Sequence, residues 1–228
     1  MDKEFKPNNE TLDKFSVENN PGRDFLSFVW DLLKTGIIVF LIAFAVRYFL
    51  IQPFIVEGNS MMPNYVDKEY LLIEKLSYSI GQPKRGDVIV FKYPNNPSTN
   101  FIKRIIGLPG ETVEIEDNIV RIKNSVHREG VIIDEYGYLG QGIETYPPNK
   151  EIFSITLDSE SYFVMGDNRE HSSDSREWGT LPKLNIIGRA WFTIKPLDHF
   201  GVNKRVKYNE LSLIFREKIA SVSNFLHF

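Results

Sequence analysis

The sequence of 228 residues contains no cysteine. Disulfide bonds and thiolate metal sites are therefore excluded, although such a chain suits either redox compartment. Neither sign of charge is in large excess. The formal net charge is −3 at pH 7, so no global basic field exists to attract nucleic acid. Apolar residues at 42% and charged residues at 25% are ordinary for a globular protein and argue against wholesale disorder.

Long apolar runs are also scarce, and the one exception lies near the N-terminus. Residues 36–46 are uninterrupted apolar, and the run continues past Arg47 to Ile51. With Thr35 included and Arg47 reaching the interface, about 17 residues become available, which is the lower limit for spanning a bilayer. The sequence therefore predicts a transmembrane anchor at 35–51, preceded by a polar N-terminal tail at 1–34 on the cytoplasmic side.

Two other interpretations of this run are weaker. A cleaved signal peptide is disfavoured, because a long polar stretch precedes the run and no small-x-small site follows it. The Ala-x-Ala sequence Ala43-Phe44-Ala45 lies inside the apolar run, where a protease would not reach it. A buried core helix of similar length remains an alternative.

After the anchor, short apolar segments rich in Val, Ile, Phe and Tyr alternate with Gly, Pro, Asn and Asp. This pattern predicts a mainly β domain at 52–207, with antiparallel sheets folded on each other. The predicted strands are 70–74, 87–91, 101–107, 112–116, 119–123, 131–133, 152–157, 162–165 and 186–194.

Two further local features complete the predicted architecture. Asp117 and Asn118 tolerate positive φ angles, so the alternating flanks 112–116 and 119–123 predict a hairpin with a type I′ turn. Residues from about 111 to 157 are predicted to form a small insertion. The C-terminal tail at 208–228 has helical spacing of its apolar residues, which suits a helix docked on the core or lying on a membrane surface.

The candidate chemistry rests on Ser60 and Lys103. A serine hydroxyl needs a base to take its proton, and no histidine is placed by a motif to serve. Lysine serves only when neutral, which at an ordinary pKa holds for roughly one in two thousand at pH 7. Burial can lower that pKa to about 8, and Lys103 shares a strand face with the apolar Phe101 and Ile105. A solvated lysine at a strand edge is the alternative.

Four motifs then occur in order along the chain: residues 53–63 (PFIVEGNSMMP), 85–91 (RGDVIVF), 102–111 (IKRIIGLPGE) and 166–176 (GDNREHSSDSR). Together they closely resemble the signature boxes of bacterial type I signal peptidases, and the resemblance extends from the anchor to about Gly201. It implies a membrane-anchored serine endopeptidase with the family's β fold. By resemblance, Ser60 is the nucleophile and Lys103 the general base, acting through an acyl-enzyme on Ser60.

The resemblance also implies supporting roles around this pair. Ser172 matches the serine that hydrogen-bonds the lysine amine, and Asp174 and Arg176 match an ion pair that supports the site. Some family members carry a serine at the position of Gly58 to help bind the oxyanion. Gly58 has no hydroxyl, so the side-chain oxyanion donor stays open.

The family cleaves preproteins after small-x-small sequences in shallow pockets. Phe54, Val56, Met61 and Ile102 match wall positions of those pockets, with ordinary apolar core as the alternative. Residues 63–65 (PNY) depart from the commoner Pro-Thr-Leu of the family.

The implied partners are preproteins with signal peptides and the lipid bilayer, with no nucleic acid, no cofactor and no metal. The implied location is the cell membrane, single-pass, with the N-terminus cytoplasmic and the catalytic domain on the extracytoplasmic side. Two rival classes remain: the self-cleaving repressor proteases, which share Ser/Lys chemistry, and a membrane-tethered β module that binds a partner without catalysis.

Overall fold

The computed structural model describes residues 21–45, 51–139, 143–147, 152–206 and 208. The chain divides into two compact units, Met1–Val46 and Arg47–Phe228, each described by itself below. The predicted C-terminal helix at 208–228 lies, apart from Tyr208, outside the described residues.

The first unit contains helix α1, Pro21–Ala45. Residues Phe25–Phe44 of this helix are long and apolar enough to cross a membrane, and none of that segment is buried within the unit. This candidate segment begins before the predicted anchor at 35–51, since α1 begins within the predicted tail, and Ile51, the last residue of the predicted anchor, lies in a strand. Asp31 and Lys34 lie within the helix and pair with each other on its surface at 3.2 Å.

The second unit is mainly β, as predicted. Its strands and short helices are β1 Ile51–Ile55, β2 Tyr70–Glu74, α2 Leu76–Ile80, β3 Val88–Tyr93, β4 Asn96–Gly107, β5 Thr112–Glu116, β6 Ile119–Lys123, β7 Val131–Ile132, α3 Tyr136–Leu139, β8 Phe153–Thr156, β9 Ser161–Met165, α4 Ser175–Trp178, β10 Leu181–Pro182, β11 Ile186–Lys195 and β12 Gly201–Val202.

These strands form two antiparallel sheets. The larger has the order β1-β2-β11-β3-β4-β9-β10, with β12 paired to β11, and the smaller has the order β7-β6-β5-β8. The smaller sheet occupies the segment for which the sequence predicted an insertion. The β5–β6 turn is confirmed, because Asp117 and Asn118 have φ angles of 49° and 63°.

Strand β1 was missed because its apolar residues continue the run assigned to the anchor. It pairs with β2 at the edge of the large sheet, with Phe54 opposite Leu71. Pro53 is tolerated there because an edge strand does not need every N–H for the ladder.

Strand β4 lies in the middle of the large sheet, between β3 and β9. Its C-terminal half is buried, and Lys103 pairs in register with Ile89 of β3. At its end, Gly107 permits a close approach of the two sheets, since a Cβ there would lie 2.5 to 2.9 Å from Val113, Leu157 and Phe163. Strand β4 thus presents a lysine from a dry, well-packed part of the fold.

Candidate active site

Ser60 and Lys103 meet in the structure. Lys103 Nζ lies 2.6 Å from Ser60 Oγ, within hydrogen-bonding distance. Ser60 lies in the loop between β1 and β2, whereas Lys103 lies in β4, so two segments distant in sequence supply the pair. The side chain of Lys103 is buried, and its residue is only 4% exposed.

Burial controls the ionisation of this lysine. Desolvation lowers the pKa of Lys103 from 10.5 to about 8, against the opposing attraction of Asp174 and Asp167, and the cation of Arg176 lowers it further. The ring of Phe101 lies 5.2 Å from Nζ, as expected for residues on the same strand face. At a pKa near 8, about a tenth of the molecules carry a neutral amine at pH 7.

The nucleophile loop, residues 56–69, is fixed at its base and at its centre. At the base, Val56 N–H donates to the Glu69 carbonyl at 2.9 Å. At the centre, Asn168 donates its backbone N–H to the Ser60 carbonyl at 3.0 Å and its side-chain amide to the Asn59 carbonyl at 3.1 Å. The turn that begins at Gly166 therefore holds the backbone of Ser60, the candidate nucleophile, directly.

Gly58 adopts a φ of +89°, a conformation that favours glycine. Its N–H donates to the Asp67 carboxylate at 2.8 Å and is thereby occupied. No side-chain hydroxyl is present at this position, in agreement with the sequence.

The predicted ion pair of Asp174 and Arg176 is present. Arg176 donates from Nε and Nη2 to the two carboxylate oxygens of Asp174, each at 2.8 Å. Asp174 also accepts the Gly166 N–H at 3.0 Å, and its side chain is fully buried. The pair therefore connects helix α4 to the turn beneath Ser60.

Ser172 lies at the site but does not make the expected contact. Its hydroxyl oxygen is buried and has no hydrogen-bond partner among the described residues, so the predicted bond to the lysine amine is not formed in this structure. The side chain instead packs against Gly166, where an added Cβ would overlap both Ser172 Oγ and the Ser60 carbonyl oxygen.

A groove of about 790 Å³ opens beside the pair. It runs between strand β1 and the N-terminal half of β4, and its lining is mainly apolar and neutral polar. The lining residues are Gln52, Pro53, Phe54, Ile55, Glu57, Ser60, Tyr70, Ser98, Thr99, Asn100, Phe101, Ile102, Lys103 and Ser173.

Of the four predicted pocket residues, two line this groove and two do not. Phe54 and Ile102 belong to its wall. Val56 and Met61 are absent from the lining among the described residues and lie in the apolar core, exposed by 1% and 0%. Ile102 belongs to the same buried cluster and Phe54 packs against it, so the roles of all four residues in substrate binding stay predictions.

Sequence reasoning missed a second buried ion pair. Arg104 donates to both oxygens of Asp167 at 2.7 and 2.6 Å, and Asp167 also accepts from the amide of Asn64 at 2.8 Å. Arg104 follows Lys103 directly but points to the opposite face, as strand alternation requires. An arginine among the apolar residues Ile102, Ile105 and Ile106 was the available signal, since buried cations need partners.

Comparison with known proteins gives the family. The model of the family described as "Signal peptidase, peptidase S26" matches residues 29–195. The chain belongs to this signal peptidase family. The matched range contains the Ser60–Lys103 pair and all four motifs, so the resemblance drawn from the sequence is confirmed.

Named relatives agree. "Probable signal peptidase I-1" of Synechocystis sp. (strain ATCC 27184 / PCC 6803 / Kazusa) is 33% identical over 192 residues, covering 81% of this chain and 92% of that protein. "Signal peptidase I" of Leptolyngbya laminosa is 36% identical over 177 residues, covering 74% and 81%. A crystal structure of a signal peptidase I from Enterococcus faecalis V583 matches with 31% identity and a TM-score of 0.39, covering 47% of this chain and 96% of that chain.

Membership of the family establishes the general activity. The chain is a hydrolase, a serine endopeptidase of the type that removes signal peptides from preproteins. Its N-terminal apolar helix is consistent with the membrane anchoring of the family. The self-cleaving repressors and the non-catalytic binding module are thereby set aside as classes.

Proposed function

We propose that this protein cleaves preproteins after small-x-small sequences, such as Ala-x-Ala, with Ser60 as nucleophile and neutral Lys103 as general base. The observation that carries the proposal is the 2.6 Å approach of Nζ to Oγ by a lysine that is 4% exposed. A solvated lysine at a strand edge would show neither the burial nor the contact.

Acylation begins with the neutral amine accepting the Ser60 proton as Oγ attacks the scissile carbonyl carbon. The resulting ammonium then gives its proton to the leaving amine. When the amine departs, the acyl group remains bound to Ser60 as an ester. In deacylation, Lys103 takes a proton from water as the water oxygen attacks the ester carbonyl. The ammonium then returns this proton to Ser60 Oγ as the C–Oγ bond breaks, which releases the product carboxyl group and restores the neutral amine. Asp174 and Asp167 favour the transient ammonium, since both carboxylates raise the affinity of Lys103 for a proton.

The oxyanion that develops in both steps requires donors already in place. The N–H of Ser60 is the backbone candidate. Gly58 offers no hydroxyl, and its N–H is taken by Asp67. A second donor from a side chain is therefore not assigned to Gly58, whose part is to allow the loop its positive φ.

The groove supports an extended substrate. It lies between two strands and is open enough for a peptide backbone, while Phe54 and Ile102 restrict the room for side chains next to Ser60. Rigid apolar walls select small residues by exclusion, because a larger side chain would overlap them. The proposal does not assign Ser172 a contact with the amine, since its hydroxyl has no hydrogen-bond partner among the described residues.

We further infer a single-pass topology, with the N-terminus cytoplasmic and the β domain extracytoplasmic. The apolar segment Phe25–Phe44 supplies the span, and the end of a signal peptide emerges on the far side of the membrane. Enzyme and preprotein then share one bilayer, which raises their effective concentration.

Three variants test the chemistry, with the purified protein in detergent and a preprotein bearing an Ala-x-Ala site. Ser60→Ala and Lys103→Ala are expected to abolish cleavage while the circular dichroism spectrum is unchanged. Lys103→Arg is expected to be inactive too, because guanidinium stays protonated at any usable pH. Normal turnover by Lys103→Ala would eliminate the proposed base, whatever the effect of Ser60→Ala.

A further inference from the structure

The structure assigns to Glu135 a part in positioning the nucleophile, although this residue belongs to none of the four motifs and lies outside the groove lining. We propose that Glu135 acts as a positioning residue: it holds Arg169, which closes the turn that fixes Ser60. This inference rests on the proposed function of Ser60.

The first step is the contact between Glu135 and Arg169. Arg169 donates from Nη1 and Nη2 to the two carboxylate oxygens of Glu135, at 2.7 and 2.6 Å. The arginine side chain is fully buried and that of the glutamate is 12% exposed. Paired, planar contacts of this kind fix the orientation of a guanidinium as well as its position.

Further contacts hold the same guanidinium. Tyr138 donates its hydroxyl to Glu135 at 2.5 Å and accepts from Arg169 at 3.1 Å, and Thr145 also hydrogen-bonds Arg169. Residues 135, 138 and 145 all lie in the excursion between β7 and β8, that is, in the connections of the smaller sheet. The smaller sheet therefore supplies the partners of this arginine.

The second step leads from Arg169 to the turn. Its Nε donates to the Gly166 carbonyl at 3.0 Å, closing residues 166–169 on themselves. The Arg169 carbonyl in turn accepts from Arg176 at 2.7 Å. The side chain of Arg169 thus fixes the start of the turn at Gly166, and its backbone carbonyl fixes the end.

The third step reaches the nucleophile. Asn168, the residue before Arg169, donates its N–H to the Ser60 carbonyl and its amide to the Asn59 carbonyl. Gly166 packs directly against the same Ser60 carbonyl. A turn loosened at Arg169 would therefore move Ser60 relative to Lys103, and attack depends steeply on that geometry.

Removing the negative charge from Glu135 leaves a buried guanidinium without its partner, which favours reorientation of the arginine. The expected result for Glu135→Gln is a kcat per folded molecule lowered about tenfold or more, with KM for a peptide substrate changed less than about twofold, because the groove is intact. A residue of purely structural importance would lower the melting temperature and the folded fraction but leave kcat per folded molecule unchanged.

The matched control is Glu144→Gln. Glu144 lies in the same excursion, but it contacts Asn118 and Tyr146 at the surface, not Arg169. We expect wild-type kcat for this variant. Combining Glu135→Gln with Arg169→Gln should be no more damaging than Arg169→Gln alone, since both changes break one connected unit.

Hydrogen exchange read by mass spectrometry on the full chain in detergent gives a readout that needs no substrate. Glu135→Gln is expected to speed exchange in residues 57–65 and 166–171 and to leave the hairpin at 112–123 unchanged, whereas Glu144→Gln should change neither loop. If Glu135→Gln fails to fold, Tyr138→Phe removes one contact to each partner and should give a smaller change of the same kind.

Unchanged exchange in residues 57–65 together with unchanged kcat per folded molecule, in whichever of these two variants folds, overturns the positioning role of Glu135. Absence of cleavage by both the wild type and Glu144→Gln would instead overturn the proposed function. Exchange in 57–65 would then still decide whether Glu135 orders the nucleophile loop.

Discussion

At the scale of single residues, the site depends on placing one lysine where its charge is unfavourable. The pKa of Lys103 falls to about 8 because burial removes the water that would solvate the ammonium. A basic group whose pKa is lower in the folded state than in the unfolded state destabilises the folded state at every pH at which the group is protonated. On the proposed mechanism, the folded protein is less stable at neutral pH because Lys103 is kept available as a base.

Replacing Lys103 with methionine tests whether the buried ammonium lowers the stability of the folded protein. Below about pH 8, Lys103 is protonated in both the folded and the unfolded wild type, so the folded state bears the full free-energy cost of the buried ammonium. Between about pH 8 and 10.5 the folded state releases the proton first, and the free energy of unfolding rises with pH. Lys103→Met should be more stable than wild type by about 2 kcal/mol at pH 7, after allowing for the lost hydrogen bond to Ser60.

That gain should shrink across the same pH window, disappear before pH 10.5 and become a small loss there, because the missing hydrogen bond to Ser60 is then no longer offset, as measured by urea unfolding at several pH values. A Lys103→Met protein less stable than wild type at pH 7 would mean that the ammonium is well accommodated in the folded state. The same variant should have no peptidase activity, which separates stability from function.

At the scale of secondary-structure elements, β4 connects the chemistry to the core. Its register against β3 places Lys103 opposite Ile89, and alternation sends Arg104 to the other face, toward Asp167. Gly107 then lets the smaller sheet pack against the end of the strand. A single strand thus provides the proposed base Lys103, the buried cation Arg104 and the junction of two sheets.

Gly107→Ala should lower the free energy of unfolding by about 1–3 kcal/mol, because its Cβ would overlap side chains of both sheets. Gly137→Ala is the control, since nothing lies within 4 Å of an added Cβ there. Chemical denaturation of both variants measures the difference. Equal stability of the two would show that the sheets are not closely packed at Gly107.

Most strands could be predicted because alternating apolar residues and turn residues are local signals. Strands β2, β5 and β6 have the predicted bounds, and the turn between β5 and β6 has the predicted positive φ angles. Strand β1 was missed, since an apolar edge strand that follows an apolar helix has no local marker of the boundary.

The site residues that belong to sequence motifs could be predicted, whereas those whose position depends on tertiary packing could not. Ser60 and Lys103 were found from two motifs, yet nothing local distinguishes the pocket wall Phe54 from the core residue Val56, only two positions later. Glu135 lies in a stretch of turn residues with no recognisable pattern. Its importance depends on a contact with Arg169, far away in sequence.

At the scale of the whole molecule, an apolar helix and a β domain form two units with different solvents. The helix segment Phe25–Phe44 is unburied within its own unit, as suits a segment facing lipid. The β domain has its own cores and a groove whose lining comes entirely from the second unit. On the proposed function, we expect that the chemistry does not depend on the helix, whereas access to membrane-bound substrates does.

Deleting residues 1–46 should leave kcat/KM for a soluble peptide within about threefold of the full chain, because the groove and the Ser60–Lys103 pair are retained. Processing of a preprotein embedded in vesicles should fall about a hundredfold, since the shared bilayer no longer concentrates enzyme and substrate. The control is full-length Ser60→Ala in the same vesicles. Equal processing by both lengths of chain would contradict the anchoring role.

The neutral state of Lys103 is tested most directly by the pH dependence of kcat/KM for an uncharged peptide, measured on the wild-type enzyme. Cleavage should rise tenfold per pH unit at low pH and level off with a midpoint at about 8, where the buried amine loses its proton. A profile with no inflection near that value, or one that still rises steeply above about pH 10 like an ordinary lysine, would contradict a base made available by burial.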